Sequence, residues 1–142
     1  MKLSVLTLVL SLVTGAAMAG PLDVAGRWET PDKESHIVIE DCGDGTPCGS
    51  IAWFTPPAPE AKDVNNPDES LRSRPILGLT ILSDFKKKGD QWKGGTIYDP
   101  EAGKSYASKL KLTDDDTLEV KGCIAFLCQS QYWTRVEQVA SE

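Results

Sequence analysis

Six polar side chains have the types and spacing for ligand chemistry. Asp63, Asn66, Arg72 and Arg74 fall in the stretch DVNNPDESLRSRPILGL, Asp63 to Leu79, and Tyr98 and Asp99 end a later run. A guanidinium recognises carboxylate or phosphate through two parallel hydrogen bonds. Arg72 or Arg74 could therefore clamp an anionic group while Asp63 and Asp99 orient them. The same residues could pin a long loop by ion pairs and caps. A connection this long needs polar anchoring, and that structural role is preferred. Catalysis has less to draw on. His36 is the only histidine, so a Ser–His–Asp arrangement has one candidate base. Its neighbours Ile37 and Ile39 read as inward-facing, which puts His36 on the surface. No catalytic residue is assigned, and an enzyme using Asp63 or Asp99 with an arginine ranks below a binding role. No cofactor or metal is expected. Asp114-Asp115-Asp116 is a solvated turn, and the Asp44-Gly45 turn lacks the ligand spacing of an EF-hand.

The chain that must position these residues starts with a leader. Lys2 is a one-charge n-region, Leu3 to Val13 is apolar, and Ala17-Met18-Ala19 has the A-x-A cleavage form. Residues 1–19 are read as a signal peptide and 20–142 as a single domain with a modest core. The apolar run is too short to span a bilayer, and no later segment could. Export to a periplasm, or secretion, is expected. Removing Lys2 leaves 14 of the 15 basic side chains against 21 acidic ones, so the net charge moves from −6 to −7. That sign disfavours nucleic acid and anionic membrane as partners. Four cysteines in an exported chain suggest two disulfides. Three pairings are open. Local pairing, Cys42–Cys48 and Cys123–Cys128, is preferred because each couple spans a short turn-rich segment. Zinc is the competing reading, but the spacings do not suit it.

Alternating runs predict about eight antiparallel strands: 25–30, 35–40, 49–54, 76–82, 91–98, 104–112, 117–122 and 129–136. Ile37, Ile39, Ile51 and Trp53 are placed inward. Trp53, Trp92, Tyr98 and Tyr106 are candidates to line or fill an interior, because eight-stranded barrels lie at the border between the two. Asn66-Pro67-Asp68-Glu69 reads as a helix start with Asn66 as cap, and Pro75 limits that helix to two turns. Lys86-Lys87-Lys88-Gly89-Asp90 reads as a turn, and Gly94-Gly95 as a bulge. Hairpin-linked strands of this number close most simply as an up-and-down barrel. Alternate connections then share an end. The Pro31 turn, the Asp63–Leu79 loop, the Asp99 turn and the Cys123–Cys128 segment frame one mouth. The two cysteine pairs fall at opposite ends.

Gly26-x-Trp28 opens the first strand and Trp133-x-Arg135 closes the last. In a closed barrel these are neighbours, and Arg135 can stack on Trp28. This resembles the closing device of lipocalins and other calycins. Gly26-Arg27-Trp28, Cys48-Gly49-Ser50-Ile51, Asp63-Val64-Asn65-Asn66-Pro67, Leu71-Arg72-Ser73-Arg74-Pro75, Trp92-Lys93-Gly94-Gly95, Ile97-Tyr98-Asp99-Pro100 and Trp133-Thr134-Arg135-Val136 together are similar to an exported bacterial family. It is known as domain of unknown function 2147. The resemblance implies a small exported barrel with no established activity. It also implies a Gly-Arg-type turn before the last strand, where this chain has Cys128-Gln129-Ser130. The expectation is an all-β, eight-stranded, calycin-like barrel whose long loop carries a short helix. A small amphipathic or anionic ligand would bind at its mouth, and the barrel would be a monomer. The alternative is an envelope protein-interaction or inhibitor module with no ligand cavity.

Overall fold

The computed structural model describes residues 22–137, so the leader read over residues 1–19 lies outside the described residues. Nine strands form: β1 Gly26–Glu29, β2 Ser35–Asp41, β3 Pro47–Phe54, β4 Thr80–Ser83, β5 Lys86–Lys88, β6 Gln91–Asp99, β7 Lys104–Asp114, β8 Thr117–Ile124 and β9 Leu127–Arg135. Each pairs antiparallel with its sequence neighbour, except that β4 and β5 both pair with β6. β4 and β5 are thus two pieces of one bent strand, and β1 pairs with β9 to close the ring. The result is a closed eight-stranded antiparallel barrel with no free sheet edge.

Two strand boundaries differ from the sequence reading. The three lysines form β5 instead of a turn, registering Lys86 on Lys93 and Lys88 on Gln91. All three are exposed, so no apolar side chain marks the strand. The bend before β5 places Asp84 at φ 66° and sends Phe85 into the core, where it occupies the space above Gly95. A β-carbon on Gly95 would collide with that ring. The Gly94-Gly95 bulge forms as expected, with the register shifting between Trp92 and Gly95. The run from Ile76 also starts later as a strand: 76–79 is turn, tied to β3 by Gly78 N–H donating to the Ile51 carbonyl.

One end of the barrel is packed solid. The turn before β1 lies beneath it with Val24 fully buried, and the Trp28 indole N–H donates to the Val24 carbonyl at 3.0 Å. Trp28 lies opposite Arg135 in the β1–β9 register, and the guanidinium stacks 4.3 Å from the indole centroid. Arg135 also donates to the carbonyls of Ala25 and Asp115. Gly26 is required there: a β-carbon would meet the guanidinium, and the backbone sits at φ 137°. The G-x-W spacing thus places the aromatic under the arginine and clears room beside it. Trp133, Phe85, Trp92, Leu82, Leu110 and Leu118 complete this core. Trp92 therefore packs in the solid end, its indole N–H donating to Asp23.

Candidate functional site

At the opposite end the interior is hollow. A cavity of about 1090 Å³ opens between the Pro31 turn, the long loop, the Asp99 turn and the β8–β9 hairpin. These are the connections that strand parity assigns to one mouth. Its walls follow the period-two rule of a strand. Ile37 from β2, Ile51 from β3, Ile81 from β4 and Val120 from β8 are buried and form its floor, while Ile97 from β6, Phe54 and Ile76 are half-buried and present apolar surface to it. Gln129 and Gln131, two residues apart on β9, supply a polar wall, and Tyr106 stands on β7. Gln131 accepts a hydrogen bond from the Trp133 indole at 3.0 Å, which fixes its amide at the boundary between hollow and solid interior. The glutamines were not among the residues singled out from sequence. Their alternation with Trp133 and Arg135 on one strand face was the available signal.

Trp53 does not reach this cavity. A bulge between His36 and Ile37 pairs His36 with Trp53 and Ile37 with Ile51. Trp53 is consequently turned to the outer wall, where it is 39% exposed and stacks on His36 at 4.6 Å. His36 lies on the outer wall as expected. Its Nδ1 accepts from Arg27 Nε at 3.2 Å, and its Nε2 lies 3.3 Å from Glu29.

The six sequence candidates divide into two groups. Asp63 is fully buried and holds three donors. Its Oδ1 accepts from the Tyr98 hydroxyl at 2.6 Å, and its Oδ2 accepts from Asn66 Nδ2 and Arg74 Nε, both at 2.8 Å. Arg74 also lies over the Tyr98 ring at 5.5 Å. Burial pushes the Asp63 carboxyl up, but the hydrogen bonds from Tyr98, Asn66 and Arg74 together outweigh it and hold the group below the usual carboxylate value. Tyr98 is raised above an ordinary phenol by burial and by its bond to the Asp63 anion. Arg72 sits outside the network, donating to the Asn66 carbonyl at 2.7 Å and facing Glu69 at 3.7 Å. Asp63, Asn66, Arg72 and Arg74 are thus engaged within the loop and do not line the cavity. Tyr98 and Asp99 do line it.

The loop helix is a single 3-10 turn, Glu69–Leu71, and its cap is Asp68, which accepts from Ser70 N–H. Asn66 lies one turn earlier: its Oδ1 accepts from Asp68 N–H, which fixes the chain entering the helix, and its amide donates to Asp63. A second tie holds the loop to the Asp99 turn. Asn65 Nδ2 donates to the Glu101 carbonyl, and Gly103, at φ 63°, lets the Asn65 backbone pass where a β-carbon would stand. Asp99 itself caps that turn through the N–H groups of Glu101 and Ala102.

Both disulfides pair locally, Cys42–Cys48 and Cys123–Cys128, and they point to an oxidising compartment. The second joins facing residues at the ends of β8 and β9, so the segment between is a tight hairpin tip. That tip exposes Ile124, Phe126 and Leu127, and Ile124 and Leu127 also form part of the cavity lip. Among the described residues, no group of three or more His, Cys, Asp and Glu side chains converges as metal ligands would. Among the same residues, no helix is long and apolar enough to cross a membrane.

A closed eight-stranded barrel, plugged at one end by a Trp–Arg stack and open to a cavity at the other, is calycin-like in its architecture. The chain belongs to the family described as "uncharacterized protein conserved in bacteria" (DUF2147), matched over residues 26–135. It is similar in fold to protein HP1028 from the human pathogen Helicobacter pylori, described as belonging to the lipocalin family. The TM-score is 0.71 with 22% sequence identity, covering 80% of this chain and 82% of that one. No curated protein matches the chain.

Proposed function

We propose that this protein is an exported, periplasmic binding barrel that takes a small amphipathic molecule through its loop-framed mouth. The observation that carries the reading is the cavity of about 1090 Å³, apolar on most of its wall and polar along β9. Ligand pockets commonly span roughly 300–1,000 Å³ with a few placed polar groups, and this open one reaches that size. The A-x-A leader and two disulfides support export. Tyr98 and Asp99 contact the ligand in this reading, while Asp63, Asn66 and Arg74 hold the loop that shapes the rim. Arg72 and Arg74 already have partners, which weakens the case for an anionic ligand.

The test is to fill the cavity without disturbing its walls. A β-carbon at Gly122 would lie 3.7 Å from Ile97 and 3.9 Å from Tyr106, ordinary contact distances. Gly122→Leu should therefore fold while narrowing the space. N-phenyl-1-naphthylamine, a neutral apolar fluorophore, should brighten saturably with the natural protein and bind more weakly to Gly122→Leu. No saturable signal from the natural protein, and no ligand retained through native purification by mass spectrometry, would sink the proposal. The exposed tip at Ile124, Phe126 and Leu127 favours the second reading, an envelope-protein partner. Recovery of the same partner by natural protein and by Phe126→Ser in a pull-down would count against it.

A further inference from the structure

The binding reading above leaves the ligand's polar end unspecified, and the rim supplies a criterion. The charged residues that line the cavity are Asp32, Glu34, Asp99 and Glu101 against Lys62. Two of the acids are fixed in place by their own turns: Asp32 accepts from Thr30 Oγ1 and Glu34 N–H, and Asp99 from Glu101 and Ala102 N–H. Neither Glu34 nor Glu101 has an ion-pair partner among the described residues. The nearby arginines do not offset this, because Arg74 faces Asp63 and Arg72 faces Glu69. Two lysines lie close by, Lys33 between Asp32 and Glu34 and Lys104 opposite Asp99 in the β6–β7 register, but neither lines the cavity, so the lining itself keeps an excess of negative charge above its apolar floor. A low-dielectric cavity behind a one-signed rim attracts the opposite charge and repels its own.

Resting on the cavity reading, we propose that the ligand is a cationic amphiphile. Its apolar body lies against Phe54, Ile76 and Ile97, and its ammonium-type head sits at the acidic rim. Gln129 and Gln131 accept or donate hydrogen bonds to neutral polar groups along the body. Anionic amphiphiles of the same length are excluded by the rim.

Three ten-carbon probes below their micellar concentrations separate the two levels of the argument: decyltrimethylammonium, decyl glucoside and decyl sulfate. Calorimetric titration of the disulfide-bonded protein at low salt should give decyltrimethylammonium an affinity at least about tenfold above decyl sulfate, with the glucoside between them. The gap should narrow in about 0.5 M salt, and it should narrow in the Glu34→Gln, Glu101→Gln double variant, whose changed side chains are exposed. Gly122→Leu, which narrows the cavity, should weaken binding of the cation. Equal affinities, or a preference for the sulfate, would overturn the charge criterion and leave cavity binding standing. Cation affinity unchanged in Gly122→Leu would assign binding to the outer surface and overturn the proposal. Failure of all three probes would overturn the cavity reading and this inference together.

Discussion

Asp63→Ala tests whether the buried carboxylate is the anchor of the mouth loop. Three donors converge on its two oxygens, from Tyr98 and Asn66 at the loop–barrel seam and from Arg74 eleven residues on. A hydrogen bond to a charged group contributes about 1.5–3 kcal/mol, and a buried donor left without a partner costs about 1–3 kcal/mol. Arg74 is 35% exposed, so water replaces much of what it loses. Tyr98 and Asn66 are better shielded and carry most of the effect. The expected loss is about 3–5 kcal/mol, within the range for breaking a buried ionic pair by removing one partner. That is a large part of a total of roughly 5–15 kcal/mol and corresponds to a fall of more than about 10 °C in melting temperature. Urea unfolding gives the free energy, and a cycle with Tyr98→Phe gives the coupling. Coupling above about 1 kcal/mol is expected, because the two groups share one bond. A loss below about 1 kcal/mol, or additivity within about 0.5 kcal/mol, would refute the anchor.

The same carboxyl predicts acid sensitivity. Its folded value lies below the unfolded one, so its contribution is complete above the usual carboxylate value near about 3.9 and is lost as pH falls through the lower folded value. Melting temperature should hold down to about pH 5 and drop below about pH 4, less steeply in Asp63→Asn; parallel profiles would contradict this. At the solid end, Trp28→Ala should cost about 3–5 kcal/mol through the cavity it leaves. Arg135→Ala should cost about 1–2 kcal/mol through the lost stack and carbonyl bonds. Unchanged melting temperatures in both would remove the closing pair from the account. Gly103→Ala combines a positive φ with a collision against the Asn65 carbonyl. It should displace the loop from the Asp99 turn and weaken fluorophore binding more than stability. Binding and stability falling in step would argue against a local effect.

Strand alternation was enough to predict the barrel, and parity of the connections assigned the loops to ends. The Gly26, Trp28 and Arg135 pattern located the closure, because it depends on neighbours that any closed ring brings together. Features that rest on one inserted residue were not legible. The bulge at His36 reverses the facing of Trp53, and only the paired strand reveals it. Lys86, Lys87 and Lys88 are indistinguishable from a turn by composition, since their strand contributes only backbone pairing. Asn66 has the right spacing for a cap and its Oδ1 does take Asp68 N–H, but the helical turn starts two residues later with Asp68 as its cap, and the Asn66 amide's bond to a buried carboxylate was not legible. The cavity was the least legible feature. Ile37, Ile51, Ile81 and Ile97 have the sequence signature of a packed core, and whether they meet depends on the barrel's girth and on small residues such as Gly122.

The hollow also explains why the anchor is ionic. Apolar burial stabilises in proportion to the area withdrawn from water, about 25 cal/mol per Å². A loop over an opening has little to bury against, and Val64 and Leu77 of the long loop stay exposed. The solid end has Trp28, Trp133, Phe85 and Leu82, all essentially inaccessible to solvent. The mouth end has a buried floor of Ile37, Ile51, Ile81 and Val120 but no aromatic cluster above it, and its loops must be held by other means. Asp63 is the charged side chain among the largest fully buried ones, and it holds the long loop through three charge-assisted bonds. Cys123–Cys128 clamps the hairpin on another side of the opening. Directional bonds and a covalent staple fix a rim without filling the space inside it, whereas a larger apolar cluster there would close the site it was stabilising.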